Sequence, residues 1–291
     1  MAPLAISPAF SASAEDVVVC CDPETVDLHL LGSSSAGSLS PFAQKLADIS
    51  QTATIANAVT SEEEVGVWTL NSVWTGAYPS AVWQLSIPYE VSNAGGAQIN
   101  ASVTVTAGST TIGEAFTSPG SSFLAQGTGT LEFDIDVEQG VLSNPIKVEL
   151  TARTVVFSVP AGDAKLELKW GSSDDDATLT ATIPLLELKL LEPEIEGSDV
   201  YLPLVIDSAW GMETLAHSES IEMRVNGIAL NGDPIETSVG DAVRITWTWD
   251  GASGGTESIN VEVIFNLQTT GPTLSGSTTF EIETFDTGGG T

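Results

Sequence analysis

Apolar and polar residues alternate along most of the chain after residue 65. In the segment 131–138, Leu131, Phe133, Ile135 and Val137 alternate with acidic residues. A period of two places alternate side chains on opposite faces of a strand, so this segment predicts one buried face and one acidic outer face. Similar segments, separated by Gly, Pro, Asn and Asp turns, are Ile99–Thr106, Ile146–Val159, Lys165–Trp170, Thr178–Ile183, Ile221–Leu230, Ala242–Trp249, Ile259–Leu267 and Thr279–Phe285. Short strands at this spacing predict an all-β fold of antiparallel sheets.

Two local signals refine this pattern. Asn226-Gly227 lies between two short apolar segments and predicts a tight type I′ hairpin, because both residues tolerate a positive φ. Ser40 and Pro41 are good residues for a helix start, and the apolar residues after them recur at helical spacing. Those residues are Phe42, Leu46, Ile49, Ala53 and Ala56. We therefore expect one short helix in this part of the chain.

The distribution of turn residues suggests how the chain divides. Residues 191–199 carry Pro193 and Gly197 between strand segments, so we interpret them as a linker. Val239-Gly240-Asp241 before an alternating strand resembles a turn of immunoglobulin-like domains. The predicted organisation is an N-terminal arm and helix at 1–60, a first β-sandwich at 61–195 and a second, Ig-like β-sandwich at 196–291. The fold class is two antiparallel β-sandwiches of jelly-roll or Ig-like type.

Charge changes the expected habitat and partners. The chain has 39 acidic and 8 basic residues and a net charge of -31, although charged residues make up only 16% of it. The imbalance therefore comes mainly from missing Lys and Arg. Such a chain repels phosphate groups, so neither nucleic acid nor an anionic membrane is an expected partner. Self-repulsion is screened in concentrated salt, where the Debye length falls to about 3 Å at 1 M, which indicates a salt-adapted protein. An ordinary acidic extracellular protein is the alternative.

Few residues suit nucleophilic catalysis. Gly251-Ala252-Ser253-Gly254-Gly255 matches the Gly-x-Ser-x-Gly nucleophile pattern, but a strand follows it where that pattern needs a helix. No histidine follows His217, and nothing in the sequence ties His29 to a serine or cysteine. We interpret the glycine-rich segment as a hairpin turn and predict that the protein is not an enzyme. A glycosidase with a pair of carboxylates is the alternative that the sequence leaves open.

The best-placed metal ligands are Asp174, Asp175 and Asp176. They lie together in a turn, where carboxylate and carbonyl oxygens can converge on calcium. A solvated acidic hairpin tip is the interpretation that we favour, so we assign no metal or other cofactor and leave a structural calcium ion open.

Aromatic residues are concentrated in residues 68–89, where Trp68, Trp74 and Trp83 occur with two tyrosines. Aromatic rings stack against sugar rings, so these tryptophans are candidates for a ligand or interface platform. Core packing is the alternative, because Trp68 and Trp74 are six positions apart and would share one strand face.

We expect that the N-terminal region is not a secretory signal. Ala12-Ser13-Ala14 resembles a cleavage site, but Pro3 and Pro8 interrupt the apolar stretch before it. No apolar run reaches the length of a helical membrane span, so we expect no membrane insertion. Cys20 and Cys21 are the only cysteines, which excludes a disulfide framework or a four-cysteine zinc site. We expect two small apolar residues at a strand end, or pairing between subunits.

In composition and strand content, the chain resembles the β-rich capsid, turret and tail proteins of viruses that infect haloarchaea. The resemblance implies a non-enzymatic structural component of a virion, located outside cells and partnered by copies of itself and other particle subunits. The alternative is a secreted module that binds carbohydrate or a cell surface through Trp68, Trp74 and Trp83.

Overall fold

The computed structural model describes residues 17–57, 61–118, 122–239, 242–269, 271 and 273–284. The expectations about Met1–Glu15, and most of the Val239-Gly240-Asp241 turn, lie outside the described residues. Twenty-two strands are defined within these ranges. In chain order they are β1 (Val17–Cys20), β2 (Glu24–Leu31), β3 (Gly37–Ser40), β4 (Gln51–Thr54), β5 (Glu63–Leu70), β6 (Gly76–Tyr78), β7 (Ala81–Ala107), β8 (Thr110–Phe116), β9 (Phe123–Val137), β10 (Gly140–Leu142) and β11 (Ile146–Ser158). They continue with β12 (Lys165–Trp170), β13 (Thr178–Ile183), β14 (Leu186–Leu190), β15 (Glu194–Glu196), β16 (Asp199–Ser208), β17 (Ser220–Val225), β18 (Ile228–Ala229), β19 (Ile235–Val239), β20 (Ala242–Trp249), β21 (Gly255–Asn266) and β22 (Thr273–Thr284).

The fold is nearly all β, as the alternating pattern predicts. Strands β12, β13 and β20 have the predicted bounds, and β9 has the predicted alternation of buried and exposed residues up to Val137. The Asn226-Gly227 hairpin is also confirmed, because Val225 pairs with Ile228 and both turn residues have positive φ, at 50° and 80°. The one α-helix in the described part of the chain is α1 (Met212–His217), and no helix there is long and apolar enough to cross a membrane.

The helix predicted after Ser40 is wrong. Residues Ala43–Lys45 form only a 3-10 turn, and the backbone is extended again at Leu46. Ile49 is 77% exposed, so the apolar residues do not share a buried face. The tertiary contacts explain the difference. The next residues, rich in Thr, form β4 and pair with β12, where the large sheet supplies backbone partners that outweigh a weak helical preference.

The largest sheet contains ten strands and is organised around β7. The hydrogen-bonded order is β11-β5-β3-β2-β13-β7-β12-β4. An additional pairing of β7 with β11 closes the part of this order from β11 to β7 into a ring of strands. β7 spans 27 residues, and its register with β9 shifts between Val91 and Gly96. Its first half pairs with β9, β12 and β13, and its second half with β8 and β11. β7 therefore closes the ring, because its first half pairs with β13 and its second half pairs with β11.

Two smaller sheets contain most of the remaining strands. The second sheet has the order β1-β14-β16-β20-β19 with β15 beside β16, and the third has the order β18-β17-β21-β22. Both supply one buried apolar face, for example Leu204 and Ile245 from the second sheet and Val261 and Phe265 from the third. β1 lies against β22, where a Cβ atom added to Gly276 would be 2.1 Å from the Val19 carbonyl oxygen. β6 and β10 form a separate two-stranded ribbon.

Strand pairing crosses the boundary predicted at residue 195. β14 pairs with β16 along its whole length, so residues on both sides of the boundary form one sheet. The predicted linker contains β15, which turns at Gly197 and pairs with β16. At the other end, β1 pairs with β14, so residues 17–20 of the predicted arm belong to the second sheet. Cys20 and Cys21, which follow in this segment, are joined to each other by a disulfide bond.

Candidate functional site

The three tryptophans proposed as a platform do not form one surface. Trp68 and Trp83 are fully buried, and Trp68 packs edge-on against Trp170 with ring centroids 5.2 Å apart. Trp74 lies after the end of β5 and is half-buried. The even spacing predicts that Trp74 shares a strand face with Trp68. This prediction is wrong, because the strand ends at Leu70, before Trp74. Trp68 and Trp83 are core residues that a ligand cannot reach, because their strands continue the buried alternation of the large sheet.

Trp74 instead shares a cavity with Trp210, which the platform hypothesis did not include. The two half-buried tryptophans line an open cavity of about 570 Å³. Its other lining residues are Val73, Thr75, Asp207, Ser208, Ala209 and Gly211. We call this cavity the tryptophan cleft. Trp74 comes from the connection between β5 and β6, and Trp210 comes from the turn between β16 and α1. No periodic pattern in either segment indicates that the two residues line one cavity.

Trp210 is held in place from behind the cleft. The ring of Phe42 packs edge-on against it, with centroids 5.8 Å apart. Its backbone N–H donates to Ser208 Oγ at 3.3 Å, and Ser208 Oγ is in turn hydrogen-bonded to Thr214 Oγ1. Ser208 and Thr214 are both buried, so these contacts fix the turn that carries Trp210.

One carboxylate in the cleft is partly neutralised. Lys189 Nζ lies 2.8 Å from a Glu187 oxygen and 3.3 Å from one Asp207 oxygen. The pKa of Lys189 is raised, chiefly by its hydrogen bond to Glu187 and further by Asp207, despite the opposing effect of burial. Lys189 is one cation shared by two carboxylates, so the group of three side chains keeps a net negative charge. Lys189 contacts one Asp207 oxygen, and the other Asp207 oxygen can accept a further hydrogen bond. The cleft combines two indoles, hydroxyl groups and a carboxylate acceptor.

The acidic turn does not bring its three carboxylates together. Asp176 pairs with His29 Nδ1 at 2.8 Å, whereas Asp175 accepts a hydrogen bond from Ser50 Oγ. Asp174 is exposed. Within the described ranges, no group of three or more His, Cys, Asp or Glu side chains is arranged to hold a metal ion. Two of the three predicted ligands are instead bound to protein donors that connect the turn to neighbouring segments.

The glycine-rich segment around Ser253 is not a hairpin turn, because β20 belongs to the second sheet and β21 to the third. Ser253 is bound to Glu257, which accepts hydrogen bonds from the Ser253 backbone N–H at 3.0 Å and from Oγ at 3.5 Å. His29 is paired with Asp176, and His217 packs against the Phe42 ring. These groups are not arranged as a nucleophile and its base.

A second surface feature lies where β8 ends and β9 begins. Phe116 and Phe123 are 68% and 53% exposed and line a groove of about 680 Å³. The same groove is lined by the carboxylates Glu114, Glu132 and Asp134. We call it the phenylalanine groove. The two exposed aromatic rings in one groove provide apolar area that a partner can cover.

Comparisons with known proteins give no family. No family model matches the chain, and no curated protein matches it. A CocE/NonD family hydrolase from Staphylococcus aureus matches at 6% identity and a TM-score of 0.37, over 56% of this chain and 37% of the hydrolase. A DUF4785 family protein from Legionella pneumophila matches at 7% identity and a TM-score of 0.23, over 83% of this chain and 66% of that protein. The tripod from the baseplate of bacteriophage Tuc2009 matches at 11% identity and a TM-score of 0.15, over 82% of this chain and 99% of the tripod chain. The chain thus spans about a third of the hydrolase, and TM-scores this low carry no argument about function.

Proposed function

We propose that the protein is a non-enzymatic structural component of an extracellular, salt-adapted assembly, and specifically a virion protein such as a capsid, turret or tail subunit. In this proposal, the large sheet closed through β7 is one sandwich-like unit, and the second and third sheets face each other as another. The close approach of β1 to β22 at Gly276 supports the second pairing. The subunit would contact copies of itself and other subunits of the particle.

The phenylalanine groove is the observation that carries this proposal. Phe116 and Phe123 expose most of their surface to solvent, and a partner that filled the groove would bury both rings. Aromatic residues are enriched at the centres of protein interfaces, where they lose the most contact with water. We assign the groove to contact with a second copy of the chain.

The acidic rim explains why such a contact would depend on salt. In dilute buffer, Glu114, Glu132 and Asp134 would repel the same surface of another copy. Concentrated salt shortens the Debye length to about 3 Å at 1 M and leaves the apolar contact as the dominant interaction. The groove therefore fits an assembly that forms in a saline medium.

Light scattering of the full chain in salt of about 3 M tests the proposal, because charge repulsion is screened there. We expect an oligomer or particle at a protein concentration of about 100 μM, well above the Kd of a standard interface. The double variant Phe116→Ser/Phe123→Ser should dissociate at concentrations at least about tenfold higher than the wild type, because each ring contributes buried apolar area.

The matched control is Ile49→Ser, which removes an apolar side chain that is 77% exposed but lies outside the groove. It should assemble like the wild type. A wild-type chain that stays monomeric at every salt concentration would overturn the assembly proposal, and dissociation by Ile49→Ser alone would reassign the contact surface.

A further inference from the structure

We propose that the tryptophan cleft is a binding site for neutral carbohydrate. In this site the faces of Trp74 and Trp210 pack against the C–H groups of a sugar ring, and Asp207 accepts hydrogen bonds from its hydroxyl groups. This inference does not depend on the assembly proposal, because it rests on a different surface and makes no use of the phenylalanine groove.

The architecture of the cleft supports a site built for a ligand. Trp74 and Trp210 both remain partly exposed, and they line the same concave surface although they come from distant parts of the sequence. The Phe42 ring and the Ser208–Thr214 hydrogen bond support Trp210 from the protein side. A stacking surface that is rigid before binding loses little conformational entropy when a ligand arrives. The volume of about 570 Å³ lies within the range of small-molecule sites.

The polar groups of the cleft favour a sugar over other aromatic-binding ligands. Asp207 and Thr75 line it and provide a carboxylate and a hydroxyl, which match the hydroxyl groups of a sugar. A purely apolar ligand would leave the Asp207 carboxylate without compensation for lost water. A sugar hydroxyl can instead donate to the Asp207 oxygen that Lys189 does not contact.

The charge around the cleft favours a neutral sugar over an acidic one. The positive charge nearest to Asp207 is Lys189, which already lies between Glu187 and Asp207. None of the described residues that line the cleft carries a positive charge, so a sulfate or uronate group would find Asp207 and no cation to pair with, even where long-range charge is screened. Sulfated or uronic-acid polysaccharides are therefore poor ligands.

The test is a titration of the full chain, in salt of about 3 M to screen its charge, followed by tryptophan fluorescence and isothermal calorimetry. The probes are linear hexasaccharides of glucose, mannose, galactose and N-acetylglucosamine, with a sulfated glycan and an oligomer of uronic acid as the acidic arm. We expect saturable binding of at least one neutral hexasaccharide, with a Kd of about 1 mM or tighter, and no binding in the acidic arm.

Three variants locate the binding. Trp74→Ala and Asp207→Asn should each weaken binding at least about tenfold, the effect of losing one good contact. Trp249→Ala is the matched control, because Trp249 is also half-buried but does not line the cleft. It should bind like the wild type. Melting curves confirm that each variant is folded.

The proposal is overturned if the folded wild type binds none of the neutral hexasaccharides. It is also overturned if Trp74→Ala leaves the affinity unchanged, or if the acidic glycans bind more tightly than the neutral ones. Oligomeric state, measured by light scattering on the same samples, reports separately on the assembly proposal, so each proposal can fail while the other stands.

Discussion

Trp68 occupies a space created by the absence of side chains on two neighbouring residues. A Cβ atom added to Gly37 would lie 2.3 Å from Trp68 Cδ1, and one added to Gly66 would lie 2.6 Å from Cη2. Both distances are far below van der Waals contact, so the indole fits only because both positions are glycine. The interior of the large sheet therefore depends on these glycines for packing, whatever their conformational freedom.

We expect Gly37→Ala to lower the free energy of unfolding by about 2 kcal/mol, as overpacking of a buried ring generally does. Urea denaturation in concentrated salt measures the change. Gly95→Ala is the control, because its nearest added contact would be 3.4 Å, to the Ser158 carbonyl oxygen. Equal stability of the two variants would show that the Trp68 ring can move to accept the methyl group.

Sequence reasoning could place some of these residues but not all of them. Trp83 lies two and four positions before Leu85 and Ile87, and Trp68 lies two positions before Leu70. Residues at this spacing share one face of a strand, and all of these are buried. Burial of both tryptophans was thus predictable from strand periodicity. That Trp74 and Trp210 line one cavity was not predictable, because both lie in connections without periodicity and their placement depends on how the sheets pack.

At the scale of elements, the local signals succeeded where the chain is regular. Alternation gave the strands β12, β13 and β20, and Asn226-Gly227 gave its hairpin, because both signals act within a few residues. The prediction of a helix after Ser40 is wrong because β4 pairs with β12, which is far away in sequence. Such pairings compete with helical preferences that amount to only a few tenths of a kcal/mol per residue.

The side chain of Gln268 connects the third sheet to the large sheet. Gln268 follows the end of β21, and its amide Nε2 donates to the backbone carbonyl of Asp27 in β2 at 2.7 Å and to that of Pro41. Its Oε1 accepts from the Asp27 backbone N–H at 3.3 Å. One side chain thus satisfies three backbone groups that would otherwise lack partners between the sheets.

We expect Gln268→Ala to destabilise the chain by about 2 kcal/mol, since it leaves part-buried backbone groups without partners. Gln268→Glu should be at least as harmful at neutral pH, because a carboxylate cannot donate to the two carbonyl oxygens. Chemical denaturation of both variants measures the loss. Thr269→Ala is the neighbouring control, since the Thr269 hydroxyl donates to the exposed carboxylate of Glu219, a side-chain contact that does not join the two sheets. A Gln268→Glu chain as stable as the wild type would contradict the role assigned to the amide group.

At the scale of the whole molecule, charge is unevenly balanced. The chain has 39 acidic residues, and the ion pairs that join described residues involve Asp176, Glu213, Glu149, Glu90, Glu187, Asp207, Glu222, Glu262 and Glu194. Most of these partners are at least partly exposed, where an ion pair contributes about 1 kcal/mol at most. Local pairing therefore offsets little of the repulsion among carboxylates.

We expect the melting temperature to rise by about 10 °C between about 0.1 M and 3 M sodium chloride, because screening removes several kcal/mol of repulsion. Differential scanning calorimetry measures the shift. Sucrose at matched osmolality stabilises proteins without screening charge and is the control. A melting temperature that is the same in low and high salt, or a shift no larger than that in sucrose, would count against salt adaptation.

The pairing of β1 with β14 also has a consequence for the order in which the molecule forms on the ribosome. In this antiparallel pair Val17 lies opposite Leu190, so β1 is synthesised long before its partner strand. At typical translation rates the delay is on the order of 10 s. During this interval the large sheet can begin to assemble from β2 onward, while β1 has no partner. Pairing of β1 with β14 therefore comes after the first steps of large-sheet assembly in the biogenesis of the protein.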